Sequence, residues 1–84
     1  MSKTKKEIEK IIRDCIEELS LPIESKVIPK DSLLTDFGLD SILLMELMLK
    51  IEEKLCIMFD ENLELSTLSV IGTLVDYISE NYNE

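Results

Sequence analysis

The residues best suited to chemistry are Asp40 and Ser41, which lie directly before an apolar helical pattern. The chain contains no histidine, so neither Ser41 nor the cysteines Cys15 and Cys56 have the general base that nucleophilic hydrolases most often use. Hydrolase chemistry of that kind is therefore excluded. Asp and Ser are also favoured N-cap residues, so the simplest interpretation of the pair is the start of a helix.

The residue three positions after Ser41 distinguishes a helix cap at Ser41 from a helix cap at Asp40. A serine cap favours Glu or Gln three residues later, and Leu44 occupies that position. We therefore predict that Asp40 is the cap and that Ser41 is the first helical residue, with its hydroxyl free to be modified. The start of such a helix has unpaired amides and the positive end of the helix dipole, which favour an anion. Gly38 can supply the backbone freedom to turn the chain into this helix.

Two other patterns are less informative. Asp60-x-Asn62-x-Glu64 resembles the opening of an EF-hand calcium loop, but its sixth position is Leu65, where the loop requires glycine. No metal site is predicted. Two cysteines do not make a disulfide framework, and Cys15 falls in an apolar helical stripe, so we predict two reduced thiols.

The composition indicates one small helical domain. A chain of 84 residues can build a single core, and we predict one domain over residues 1–84 with its folded core at about 4–82. Leu, Ile, Val and Phe make up more than a third of the chain, which is enough for it to fold. Alanine and tryptophan are absent, and two Gly and two Pro provide too few turns for a multi-stranded sheet.

The charge of the chain limits its partners. A formal net charge of −9 argues against nucleic-acid binding, which depends on Lys and Arg that neutralise phosphates. The acids are concentrated after residue 14, so basic partner proteins are expected. No apolar run approaches the length that spans a bilayer, which predicts a cytoplasmic protein without a membrane span.

The first helix is predicted from a capping box of Thr4 and Glu7 and should continue until Leu21-Pro22. Its apolar stripe consists of Ile8, Ile11, Ile12, Cys15, Ile16 and Leu19. Residues 20–40 show no sustained period but contain many apolar side chains. Such a long apolar loop between helices one and two should pack over the bundle.

Three more helices are predicted after this loop. The second runs from about Ser41 to Leu55, a short one follows Asp60, and Ser69 caps the last. The core stripe of the second helix consists of Leu44, Leu47, Met48, Ile51 and Leu55. The expected fold is all-α, a small four-helix bundle of three long helices and one short helix.

The segment Phe37-Gly38-Leu39-Asp40-Ser41-Ile42 resembles the signature of the acyl carrier proteins and the related peptidyl carriers, Gly-x-Asp-Ser-Leu at the start of the second helix. The resemblance runs over nearly the full chain. In that family the serine that matches Ser41 carries 4′-phosphopantetheine, derived from coenzyme A, as a phosphodiester. The resemblance thus implies that Ser41 is the attachment residue and that Gly38 and Asp40 belong to the cofactor-binding motif.

The same resemblance implies a carrier instead of an enzyme. A separate phosphopantetheinyl transferase, using coenzyme A and magnesium, would load Ser41. The thiol at the end of the arm would hold an acyl group as a thioester for acyl-loading and acyl-processing enzymes. We therefore expect a monomeric acyl carrier for fatty-acid, polyketide or related lipid biosynthesis, with the cargo, its length and the pathway left open.

The resemblance also implies that partner enzymes recognise the second helix, through acids around an apolar flank that meet basic patches. The acids are Asp36, Asp40, Glu46, Glu52 and Glu53, and the apolar flank consists of Ile42, Met45 and Leu49. Leu43 and Lys54 stand where fatty-acid carriers usually have further acids. This departure weakens the acidic face and favours polyketide, peptide or specialised lipid pathways.

An alternative function needs no modification. A helical adaptor could bind one partner through the acidic and apolar face of the second helix. The two hypotheses differ at Ser41, because an adaptor tolerates replacement of this serine by alanine and a carrier does not.

Overall fold

The computed structural model describes residues 3–21, 24–60 and 62–82 of the chain. Its four α-helices are α1 (Lys5–Glu17), α2 (Ser41–Leu55), α3 (Leu65–Leu68) and α4 (Ile71–Tyr82). Helix α1 packs against both α2 and α4, and the short α3 packs against the same two helices. The predicted all-α bundle of three long helices and one short helix is confirmed.

The start of α1 follows the sequence pattern. The Thr4 hydroxyl accepts a hydrogen bond from the Glu7 amide at 3.1 Å, and the Glu7 carboxylate accepts one from the Thr4 amide at 2.9 Å. The hydrogen bond from the Thr4 amide to the Glu7 carboxylate lowers the pKa of Glu7. The predicted capping box is therefore present, and it satisfies two amides that the helix itself leaves unpaired.

The end of α1 differs from the prediction. The helix ends at Glu17 instead of continuing to Leu21-Pro22, because the amides of Leu19 and Ser20 bond to carbonyls only three residues back. Ser20 then takes a left-handed conformation with φ of 57°. Leu19 still packs on the core, so its place in the apolar pattern could not reveal that the helix had ended. Pro22 lies outside the described residues.

The loop between α1 and α2 packs over the bundle, as predicted. The described part of this loop, without residues 22 and 23, contains two 3₁₀ turns, Ser25–Val27 and Leu34–Phe37. The side chains of Ile28, Leu34 and Leu39 are buried, and those of Val27 and Leu33 remain exposed. A loop with three core side chains is part of the folded structure and can hold the entrance to α2 in place.

Polar contacts join this loop to α1. The Arg13 guanidinium donates to the carbonyls of Ser25 and Ile28, and the Glu9 carboxylate orients Arg13 at 2.9 Å. The Glu17 carboxylate accepts from both the amide and the hydroxyl of Ser25. Half-buried loop carbonyls are thereby paired, which matters because an unpaired buried polar group is costly.

The other end of the loop is joined to the junction between α3 and α4. The Leu34 amide donates to the Ser69 carbonyl at 2.6 Å, and the Gly72 amide donates to the Lys30 carbonyl at 2.8 Å. A Cβ atom at Gly72 would lie 3.3 Å from that carbonyl oxygen. The close approach of the two segments therefore favours glycine at this position.

The predicted starts of the last two helices were wrong. Asp60 does not cap a helix, because its carboxylate accepts from the Asn62 amide in a local turn and α3 begins only at Leu65. Helix α4 begins at Ile71, and the Leu74 amide bonds to the carbonyl of Val70. Val70 thus holds the cap position predicted for Ser69, which is buried and accepts from the loop. Glu61 lies outside the described residues.

The core is made of one stripe from each long helix together with loop side chains. Its buried members include Ile8, Ile12, Cys15, Ile16, Leu44, Leu47, Ile51, Ile71, Leu74 and Ile78. From the predicted stripe of α2, Met48 and Leu55 are only half-buried. Burial raises the pKa of the Cys15 thiol to about 11, so this residue is protonated at neutral pH and packs as a small hydrophobe. Both cysteines are free.

Two isoleucines of α2 should respond very differently to truncation. Ile51 is 0% exposed, so Ile51→Ala should lower the free energy of unfolding by about 2–5 kcal/mol through lost burial and a cavity. Ile42 is 68% exposed, and Ile42→Ala should change the unfolding free energy by less than about 0.5 kcal/mol. Denaturant melts of both variants give the comparison. Equal losses would contradict the assignment of these two faces of α2.

Candidate functional site

Gly38 and Leu39 determine the path of the backbone directly before α2. Gly38 ends the second 3₁₀ turn in the left-handed region, with φ of 99°, where side chains with a Cβ are strained. Leu39 follows with a fully buried side chain, and its amide bonds to the Leu34 carbonyl. The expected conformational role of Gly38 is confirmed. These two residues together fix where the next residue, Asp40, enters the helix.

Asp40 caps α2. Its carboxylate accepts from the Leu43 amide at 2.9 Å, and its carbonyl accepts from the Leu44 amide at the same distance. The prediction that Asp40 and not Ser41 is the cap is confirmed. Ser41 is therefore the first residue of the helix, it is exposed, and no described residue forms a hydrogen bond with its hydroxyl.

The electrostatics at this end of α2 favour an anion. Helix α2 has 15 residues, and its N-terminal amides carry the positive end of the helix dipole. The first turn contains no acidic side chain, so no carboxylate within it competes for those amides. The Asp40 carboxylate occupies the Leu43 amide and leaves the earlier amides of the turn available.

The apolar flank is on the surface and is not part of the core. Ile42, Met45 and Leu49 are 68%, 53% and 56% exposed. Met45 lies four residues after Ser41, so one turn of helix separates the serine from this flank. Exposed large apolar side chains in one row are a feature of interaction surfaces.

Apart from the cap Asp40, the acids inferred from the family resemblance fall into two groups. Asp36, Glu46 and Glu53 are exposed, and no described residue forms an ion pair with any of them. Glu52 is half-buried, and its carboxylate accepts from the Phe59 amide at 2.7 Å. Glu52 therefore helps to hold the segment that follows α2, and its side chain is only partly accessible to a partner.

The two departures from the acidic pattern both contact other parts of the bundle. Leu43 is half-buried against the core. The Lys54 ammonium lies 2.8 Å from the carboxylate of Glu18, just beyond the end of α1, and the Lys50 ammonium lies 3.6 Å from it. The interpretation that Leu43 and Lys54 weaken the acidic face stays a prediction, since Leu43 is half-buried and Lys54 remains exposed beside Glu18. Glu18 was missed from the sequence because no local pattern links it to residues so far along the chain.

Other kinds of site find no support. Within residues 3–21, 24–60 and 62–82 no group of three or more His, Cys, Asp or Glu side chains is arranged to hold a metal ion. Among these same residues, every helix is too short or too polar to cross a lipid bilayer.

The comparison with protein families identifies the class to which this site belongs. A family model described as a phosphopantetheine attachment site matches residues 9–78. Because that match covers most of the chain, the chain belongs to the phosphopantetheine-binding family of acyl and peptidyl carrier proteins. The resemblance seen in the sequence is thus confirmed. A comparison with curated proteins gave no match.

Membership of this family brings a cofactor and a general role. The family carries a covalently attached 4′-phosphopantetheine prosthetic group. Its domains are generally non-catalytic carriers that interact with partner enzymes. The exposed hydroxyl of Ser41 and the anion-favouring start of α2 fit a covalently bound phosphodiester.

The cap assignment can be tested by two substitutions at neighbouring residues. Asp40→Ala removes the acceptor for the Leu43 amide and should destabilise the protein by about 0.5–2 kcal/mol. Ser41→Ala removes a hydroxyl without a described partner and should change stability by less than about 0.5 kcal/mol. Urea melts measure both changes. A larger loss for Ser41→Ala would mean that Ser41 is the cap.

Proposed function

We propose that this protein is an acyl carrier and that Ser41 is the residue to which 4′-phosphopantetheine is attached. The observation that supports the proposal most directly is the exposed, unbonded hydroxyl at the first residue of α2, left available because Asp40 makes the cap. When attached, the phosphopantetheine group supplies a terminal thiol that holds an acyl group as a thioester.

The other serines of the described chain are less suitable. Ser25 is buried and its hydroxyl donates to Glu17, while the hydroxyl of Ser66 donates to Glu64. Ser69 is buried at the α3–α4 junction. Three more serines lie in turns or near the end of α4, away from any long-helix start, namely Ser20, Ser32 and Ser79. Only Ser41 among these combines an exposed hydroxyl with the first turn of a long helix.

Three residues would support the attached phosphodiester in different ways. Gly38 provides the left-handed turn, Asp40 takes the Leu43 amide, and the Ser41 backbone begins the helix whose dipole favours a negative charge. The absence of histidine from the sequence leaves Ser41 without the commonest activating base. We therefore assign the loading reaction to a separate phosphopantetheinyl transferase that uses coenzyme A and magnesium.

Partner enzymes would bind the surface of α2 next to Ser41. Glu46 and Glu53 supply exposed negative charge for long-range attraction to basic patches, and Met45 and Leu49 supply apolar area that becomes buried on contact. Asp36 adds charge on the loop side of the same entrance. The combination fits a partner that is recognised briefly and released, because steering charges raise the association rate more than the final affinity.

We place this carrier in a pathway that builds fatty acids, polyketides or related lipids. Its working form would be a cytoplasmic monomer, since two free thiols, one of them exposed, suit a reducing compartment. The cargo is set mainly by the enzymes that load it.

Loading of Ser41 is directly measurable. Incubation with coenzyme A, magnesium and a promiscuous phosphopantetheinyl transferase should add one phosphopantetheine group per chain, read from the mass of the intact protein. Ser41→Ala should abolish the gain, and Ser66→Ala should keep it because Ser66 lies on the short α3. An unmodified wild-type protein, or a normal gain by Ser41→Ala, would refute the carrier function and leave the unmodified adaptor as the explanation.

The two kinds of side chain on α2 should affect recognition differently. Charge reversal by Glu53→Lys should mainly slow association with the transferase and reduce its dependence on salt, because exposed charges act on the encounter. Leu49→Ala should instead speed dissociation, because a buried apolar anchor is lost. Surface-binding kinetics at several salt concentrations separate the two rates. Unchanged association and dissociation rates in both variants would show that the transferase recognises a different surface of the protein.

A further inference from the structure

The two lysines of α2 are both held by one carboxylate of another helix. Lys50 and Lys54 lie one helical turn apart, and their ammonium groups lie 3.6 Å and 2.8 Å from the two oxygens of Glu18, just beyond the end of α1. The hydrogen bond from Lys54 lowers the pKa of Glu18, and the same bond raises the pKa of Lys54. Glu18 therefore draws both positive charges of α2 toward α1.

Without Glu18, Lys50 would have carboxylate partners within α2 itself, whereas Lys54 has no acid of α2 three or four residues away. Glu46 lies four residues before Lys50, which is the favourable order for a helical Glu–Lys pair, and Glu53 lies three residues after it. In the described structure neither Glu46 nor Glu53 forms an ion pair. For Lys50, the contact across the helices is thus made in place of the local pairs, and the two exposed acids are left without an ion-pair partner among the described residues.

We propose that Glu18 is a positioning residue for partner recognition: it holds Lys50 and Lys54 against α1 so that the carboxylates of Glu46 and Glu53 remain unpaired for a basic partner surface. This inference rests on the proposed function of α2 as the docking helix. It assigns a recognition role to a residue just beyond the end of α1 that does not touch the partner, because Glu18 controls which charges the partner meets.

The physical effect acts on the encounter with the partner. We call the surface of α2 that carries Met45, Glu46, Leu49 and Glu53 the docking face. Released lysines would screen its two acids and place positive charge at its edge, which lowers the electrostatic attraction to a basic patch. The effect depends on charges in solvent, so it should fade as the Debye length shrinks from about 10 Å at 0.1 M salt to about 3 Å at 1 M.

The test compares two matched variants of the full chain. Glu18→Gln frees Lys50 and Lys54, whereas Glu24→Gln frees only Lys26 of the loop, from a pair at 3.4 Å. Each variant removes one acid, so the net charge changes from −9 to −8 in both. The measured quantity is the second-order rate constant for loading by a purified phosphopantetheinyl transferase, at salt concentrations from low to high.

We expect Glu18→Gln to load about two- to fourfold more slowly than Glu24→Gln at low salt, with a weaker salt dependence and equal rates at high salt. The pKa of Lys54, followed by NMR of its side chain, should fall toward its ordinary value in Glu18→Gln and stay raised in Glu24→Gln. Equal rates for the two variants at low salt would overturn the proposal. Slower loading of Glu18→Gln that persists at high salt would also overturn the proposal, because that result indicates a change of structure and not of charge.

Removing the lysines provides an independent test. In the Glu18→Gln background, Lys50→Gln with Lys54→Gln should restore loading to at least the wild-type rate. The control adds Lys26→Gln and Lys30→Gln to Glu24→Gln. Each triple variant loses two positive charges from a parent with a net charge of −8, so both carry −10. The increase in the loading rate constant is measured from each parent, Glu18→Gln or Glu24→Gln. If the lysine changes increase the rate of Glu18→Gln no more than the control changes increase that of Glu24→Gln, the role of Glu18 is refuted.

The same lysine changes can be made with Glu18 in place, so the proposal does not depend on how well Glu18→Gln folds. Here the two lysines already lie off the docking face, and their removal should change the rate no more than Lys26→Gln with Lys30→Gln does. A much larger gain would contradict the proposal. Failure of the carrier function itself is distinct, since the wild-type protein would then gain no phosphopantetheine at all.

Discussion

The hydrogen bond from the Leu43 amide to the Asp40 carboxylate determines which residue begins α2. With Asp40 outside the helix as its cap, Ser41 takes the first helical position, and its hydroxyl has no structural task. A serine used as the cap would have turned its oxygen inward to the helix amides. One side-chain contact therefore separates a residue that only starts a helix from a residue that can carry a covalent group.

That cap is effective because the loop before it is rigidly placed. Arg13 and Glu17 of α1 bind the first part of the loop, and the backbone contact between Leu34 and Ser69 binds the second part. Leu39 then inserts into the core directly before Asp40. The entrance to α2 is thus held by contacts from three regions of the chain, which keeps the serine in a defined position while its side chain stays in solvent.

Helix α2 serves three purposes with three different sides. One side, with Leu44, Leu47 and Ile51, builds the core. A second side carries Lys50 and Lys54 toward Glu18. The third side keeps the apolar flank and the exposed acids in solvent beside Ser41. This division explains why the helix has more apolar surface than one core requires.

Local sequence alone determined the helical class, the capping box at Thr4, the span of α2 and the cap at Asp40. Each of these depends on residues within one or two turns of each other, so spacing and cap chemistry are sufficient to predict them. The family resemblance was also readable because its signature is a short contiguous segment around Ser41.

Only the tertiary structure decided the early end of α1, the displaced start of α3 and the orientation of Lys50 and Lys54. Leu19 kept the apolar pattern because it packs on the core from outside the helix, and Ser69 resembled a cap although its carbonyl pairs with the loop. Lys50 could have paired with acids of its own helix, and the contact of both lysines with Glu18 depends on how α1 packs against α2. Contacts between residues distant in sequence arise from packing, and no local spacing encodes them.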